Sequence, residues 1–168
     1  MSISMSISKL LVSVVVGFAA TAALAQNAGS KLPDYAKTPT ELSAVQPTGG
    51  AGGSGNPKVQ VVTILGDASK PGVYAQLLKV AAGAEIPAHH HAGDRIGTVL
   101  QGTWHFGFGD KFDKGKLRTL PVGSVYTEPD NAPHFAMTAS EPVTVLLTGV
   151  GPTDTVYENP ADDPTKKH

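Results

Sequence analysis

The sequence predicts an all-β protein built as an antiparallel sandwich or barrel. From Lys58 onward, short β-prone runs recur: KVQVVTIL, GVYAQLLKV, RIGTVLQG, TWHFGFG, GSVYTE, HFAMTA and PVTVLLTGV. Turn-forming clusters such as GDASKPG, AAGAEIPA, GDKFDKG, LPVG and EPDNAP separate them. No segment sustains a helical apolar period with caps, so helix is at most a minor component. Seven or more strands in so short a span is the pattern of a sandwich or small barrel.

The 168 residues leave room for one ordinary domain. The first 25 are expected to be removed. MSISMSISK carries one basic side chain, and LLVSVVVGFAATAALA is an apolar run that ends in Ala23-Leu24-Ala25. A charged start, an apolar middle and a small-x-small end form a secretory signal pattern. As a membrane span the run is short, and Ser13, Gly17 and Thr21 dilute it. The expected destination is the periplasm or the exterior, with cleavage after Ala25.

Residues 26–57 hold PTGGAGGSGNP among other small and polar residues and read as a flexible Gly/Ser/Pro-rich leader. The domain proper is expected over 58–160, with 161–168 as a C-terminal tail. Loss of the first 25 residues, Lys9 among them, leaves 143 with 12 Lys+Arg against 14 Asp+Glu. That balance argues against nucleic acid, and no polybasic patch marks a membrane surface. The chain has no cysteine, so disulfides and thiol nucleophiles are excluded. Ser124, which precedes His134 in the second half of the chain, lacks the nucleophile-elbow pattern.

Chemistry concentrates in PAHHHAGDRIGTVLQG, residues 87–102. In an extended segment residues i and i+2 share a face, so His89 and His91 project together while His90 points away. Such a pair is a two-point imidazole chelate suited to several transition ions. A solvated polar loop would carry the same letters, so the pair alone decides nothing.

The frame around it adds specificity. Gly83, five residues, His89, one residue, His91, three residues, Arg95, six residues and Gly102 resemble the first motif of the cupin family. After twenty further residues, Gly123, five residues, Pro129 and then His134 resemble the second motif. Asn131 stands where the family pattern has glycine, a swap that Asn's tolerance of left-handed geometry permits. Thr138 replaces a usual asparagine. The likeness extends over roughly 58–158, and HFGFGDKFD with GPTDTVYENPADDP resembles a bacterial subgroup of the family.

The resemblance implies a cupin-type antiparallel β-barrel, the double-stranded β-helix or jelly roll. It also implies His89, His91 and His134 as ligands of a divalent transition metal: iron, zinc, manganese or nickel. At the fourth position the chain departs from the family, because Arg95 stands in place of a glutamate. A guanidinium offers no lone pair, and at ~5 Å from a dication with an effective dielectric of ~20 the repulsion would be roughly 7 kcal/mol. Arg95 therefore swings out to a carboxylate such as Asp94, Glu128 or Asp130, or holds an anion in the pocket, or marks a site that has lost its metal. Asp94 is expected to face the opposite way on a regular strand.

Tyr126 and Glu128 share a face just before Pro129 and are candidate contacts for a substrate or anion, along with Arg95. Ala136 and Thr138 share the face of His134, leaving Phe135 and Met137 to pack on the other. His105 reads as a hydrogen-bonded structural histidine, and His90 as exposed. Two functions remain open. One is an exported metal-dependent cupin with oxygenase-type chemistry on a small carbonyl or enolisable compound. The other is a non-catalytic, metal-free module that binds a small molecule or anion through Arg95. The family resemblance also raises the expectation of a homodimer.

Overall fold

The computed structural model describes residues 32–47 and 53–166. The expected signal segment, 1–25, lies outside the described residues. Among the described residues, ten strands form two antiparallel sheets of five. The strands are β1 (Val59–Leu65), β2 (Gly72–Val80), β3 (Glu85–His90), β4 (Arg95–Gln101), β5 (Trp104–Phe108), β6 (Arg118–Leu120), β7 (Val125–Glu128), β8 (His134–Thr138), β9 (Val143–Gly151) and β10 (Val156–Tyr157). One sheet runs β1-β2-β9-β4-β7 and the other β10-β3-β8-β5-β6. The architecture is a jelly roll. The described ladders do not pass from one sheet to the other, so the expected barrel is realised as two facing sheets rather than a closed cylinder.

The facing surfaces supply the core. On β9 burial alternates along Val143, Val145 and Leu147, the period of two that a half-buried strand imposes. Leu78 and Val80 from β2, Val99 from β4, and Trp104 and Phe106 from β5 meet them in one apolar cluster. At roughly 1.5–3 kcal/mol for each large side chain removed from water, this interlayer contact is the main favourable term in the fold.

Seven strands coincide with the β-prone runs. The other three were hidden for physical reasons. β3 carries Pro87, which cannot donate to a ladder, and the pairing of β3 with β8 shifts register between Ile86 and His89. β6 and β10 have three and two residues, too few to show a period. The leader also contains more local order than its composition suggests. Pro39–Ser43 form a helical turn, α1, with a reciprocal capping box between Thr38 and Glu41. Ser54 is buried, and its carbonyl accepts a hydrogen bond from the Tyr157 hydroxyl at 2.5 Å.

Two motif positions show their purpose. Asn131 adopts φ 54°, the left-handed conformation that the sequence predicts for this substitution. Gly102 has φ 75°, and a Cβ there would strike the Pro142 carbonyl, so the β4–β5 turn requires a residue without one.

Candidate metal centre

Three strand ends meet inside the jelly roll. His89 lies near the end of β3 and His91 directly follows that strand, while His134 opens β8 and pairs with His89 across the ladder. All three are buried, at 5%, 2% and 2% exposure. The ring centroids of His89 stand 4.8 Å from those of His91 and 4.5 Å from those of His134. His90 points to the other face, as an i, i+1 neighbour on a strand must. It is half-buried rather than exposed, with its Nδ1 2.5 Å from the Glu158 carboxylate.

Each inward ring is oriented by a backbone carbonyl. Nδ1 of His89 lies 2.7 Å from the Pro87 oxygen, that of His91 2.5 Å from the Asp154 oxygen, and that of His134 3.0 Å from the Ala132 oxygen. A carbonyl only accepts, so the proton of each ring sits on Nδ1 and the lone pair sits on Nε2. The rings stay neutral. Burial lowers the pKa of His89 to about 3, helped by His134, and that of His91 to about 2, helped by the Arg95 guanidinium. Burial also lowers His134, partly opposed by the Glu128 carboxylate.

The Nε2 atoms of His91 and His134 are buried and have no hydrogen-bond partner. One ligand nitrogen from each of the three rings lies within 4.8 Å of the others. Imidazole nitrogens bind zinc at about 2.0–2.1 Å, so closing on one ion requires ring movements of less than about an ångström. A cavity of about 20 Å³ occupies the space, lined by the three histidines with Ser54, Arg95, Trp104 and Glu128 among others. That volume suits one ion or one water. Converging lone pairs, fixed tautomers and an ion-sized space all fit a transition-metal dication, with carbonyl partners holding the rings as outer-shell groups commonly do.

Arg95 does not swing out. It is 3% exposed and its Nε donates to Glu128 Oε2 at 2.6 Å, with Nη2 also on that oxygen. Its partner is one of the three carboxylates the sequence offered, but the pair is made inside the site. Burial opposes ionisation of Glu128, and the Arg95 guanidinium overcomes that cost, with smaller contributions from His134 and His91. The carboxyl is held at about 2. The other two carboxylates face away: Asp94 accepts from the Asp130 backbone N–H at 2.8 Å, and Asp130 accepts from Gly93 N–H at 2.7 Å.

Tyr126 is not among the cavity-lining residues and packs on one of them, its ring centroid 4.3 Å from that of Phe106. Burial, then the Glu128 charge, raises its phenol well above the ordinary value, so it stays protonated. Gly97 leaves room for it, because a Cβ there would enter the Tyr126 ring. Thr138 is structural. Its hydroxyl donates to the Ala81 carbonyl at 2.7 Å and accepts from Ala84 N–H at 2.9 Å, closing the turn before β3. His105 lies outside the cavity lining, 3.3 Å from the Thr119 hydroxyl.

Sequence reasoning missed the part played by the segment after β9. Asp154 holds His91, Glu158 holds His90, and the Tyr157 ring lies 5.5 Å from that of His89. A backbone carbonyl leaves no signature in residue type, so Asp154 could not have been found. The tail motif alone was a hint.

A jelly roll with the motif glycines Gly83, Gly102 and Gly123 and a three-histidine cluster in its interior defines the protein as a cupin. More narrowly, the chain belongs to the ChrR cupin-like domain family, whose model matches residues 55–154. No curated protein matches it. Among solved structures it is similar to the polyketide cyclase RemF from Streptomyces resistomycificus, at 18% identity over 66% of this chain and 78% of that one, TM-score 0.55. It is also similar to a salicylate 1,2-dioxygenase from Pseudaminobacter salicylatoxidans, at 14% identity over 62% and 32%, TM-score 0.50. A third is the DMSP lyase DddQ from Ruegeria pomeroyi, at 22% identity over 56% and 47%, TM-score 0.48. The chain thus spans about half the length of the lyase and a third of the dioxygenase. The likeness to the cyclase and the dioxygenase establishes the shared fold.

Proposed function

We propose that this protein is an exported single-domain cupin that binds a divalent transition metal through His89, His91 and His134 and acts on a small carbonyl or enolisable compound with oxygenase-type chemistry. The observation that carries the metal reading is the pair of buried, partnerless Nε2 atoms on His91 and His134, fixed toward one ion-sized cavity. A buried acceptor with no partner costs about 1–3 kcal/mol, a cost that a bound cation removes. When bound, such an ion supplies Lewis-acid polarisation of a substrate oxygen or, as iron, a site for dioxygen chemistry. The oxygenase reading takes its support from the salicylate 1,2-dioxygenase among structures of this fold. Fold likeness alone does not transmit an activity.

The test is metal analysis of the purified mature protein after supplementation, beside His89→Ala. Near-stoichiometric metal in the wild type and its loss in the variant support the reading, and a metal-free wild type ends it. Turnover that survives both His89→Ala and a chelator would rule out metal-dependent chemistry.

A second reading, a metal-free binding module, draws on the Arg95–Glu128 pair. The two charges neutralise each other without an ion, and the guanidinium is engaged by a protein carboxylate. Binding of small anions that stabilises the fold, with no metal retained, would favour it. A homodimer accords with the exposed apolar side chains Val73, Ile96 and Val150 on the first sheet, and sedimentation of the mature protein tests it. Signal cleavage after Ala25 is tested by the amino-terminal sequence of the exported protein.

A further inference from the structure

Arg95 occupies the position where the first cupin motif has a glutamate, yet a carboxylate is present in the centre. Arg95 opens β4, Glu128 closes β7, and the two are direct partners in the ladder. Directly opposed residues in an antiparallel pair stand side by side on one face, with Cβ atoms about 4.5–5.5 Å apart. A glutamate at 128 therefore addresses the same interior volume as a glutamate at 95 would. The structure shows that it does: Glu128 is 4% exposed and its Oε2 lies 3.7 Å from His134 Nε2 and 3.9 Å from His91 Nε2.

These are not hydrogen bonds. Both distances exceed hydrogen-bond length, and neither nitrogen has a partner. With the ring protons committed to backbone carbonyls on Nδ1, the two nitrogens and the oxygen present lone pairs to one another. The oxygen accepts from Arg95, but neither nitrogen has a donor, and three acceptors converging in this way can hold a cation. A tetrahedral ion bound at about 2.0–2.2 Å holds its donors roughly 3.3–3.6 Å apart, so both separations close on it with shifts of a few tenths of an ångström. The Arg95 guanidinium holds the same carboxylate oxygen through Nε and Nη2 and, like Glu128, lines the cavity.

We propose that Glu128 supplies the carboxylate ligand of this centre, moved from β4 to the neighbouring strand β7. The proposal rests on the three-histidine reading above and adds a fourth protein ligand to it. It also accounts for how an arginine is tolerated beside a dication: the guanidinium is paired with a buried carboxylate that neutralises it.

The experiment is zinc affinity by calorimetry against a competing chelator, for wild type, Glu128→Gln and the double variant Arg95→Glu/Glu128→Gln, with circular dichroism as the check on folding. An outer-shell partner costs about 10–100-fold in affinity. Glu128→Gln is expected to lose more than about 100-fold, and the double variant, with its carboxylate returned to β4, to recover most of that loss. A smaller loss in Glu128→Gln, with the fold intact, overturns the proposal and leaves the three-histidine reading standing. Failure of the wild type to bind zinc overturns both. Should Glu128→Gln not fold, the anomalous signal of a zinc-loaded wild-type crystal decides: a Glu128 oxygen within bonding distance upholds the proposal, and a Glu128 still turned wholly to Arg95 overturns it.

Discussion

Arg95 and Glu128 face each other across the β4–β7 ladder, both almost fully buried, and their ion pair forms one wall of the histidine cavity. Two residues 33 positions apart in sequence act as a unit. Their stability should therefore be strongly coupled. Breaking a buried pair by removing one partner costs about 3–5 kcal/mol, whereas replacing both with apolar groups of similar volume is often neutral or stabilising. In the metal-free protein, Arg95→Met is expected to destabilise by that amount and Arg95→Met/Glu128→Leu by much less. Urea denaturation of the single and double variants measures the coupling, and additive losses would show that the pair does not act as a unit.

Acid should destabilise the metal-free protein beginning near neutrality. His89 and His91 titrate at about 3 and about 2 in the folded state, far below the ordinary histidine value of 6.5. Between those limits the unfolded chain binds protons that the folded chain refuses. Stability is therefore fully present above about pH 6.5 and falls as pH falls, by up to about 1.4 kcal/mol per pH unit for each ring. Glu128, lowered from 4.5 to about 2, adds a loss of the same sign below about pH 4.5. Denaturation midpoints at pH 8, 7, 6 and 5, as values chosen to span this window, should stay level at first and then decline. A level profile down to pH 5 would contradict buried neutral rings.

Zinc should raise the melting temperature of the wild type and leave His89→Ala nearly unmoved. A ligand bound only by the folded state stabilises by about 2.7 kcal/mol at a hundredfold excess over its dissociation constant. Differential scanning fluorimetry with and without zinc reads the shift. An equal shift in both proteins would place zinc elsewhere.

Thr138→Val should cost about 1–3 kcal/mol despite its matched shape. It leaves the buried Ala84 N–H without the hydroxyl oxygen and the part-buried Ala81 carbonyl without its donor. Equilibrium unfolding measures the loss. Zinc stoichiometry should survive, because Thr138 does not line the histidine cavity, whereas loss of metal with the fold intact would give Thr138 a role at the site.

The sequence by itself determined the strand-rich character of the domain, the two-motif frame and the inward pairing of His89 with His91. All of these follow from local rules: turn residues interrupt β-prone runs, and a strand repeats its face every two residues. The geometry of Asn131 was legible for the same reason. Tertiary structure decided the rest. Only the β3–β8 ladder brings His134 against His89, and only the β4–β7 ladder turns the misplaced arginine into half of a buried pair. The tautomers were equally beyond reach, since they depend on backbone carbonyls of Pro87, Ala132 and Asp154, whose positions no residue type records. A one-dimensional pattern specifies which face a side chain takes, while the partner across the sheet is set by register, and in this protein the register supplied the carboxylate that the motif lacks.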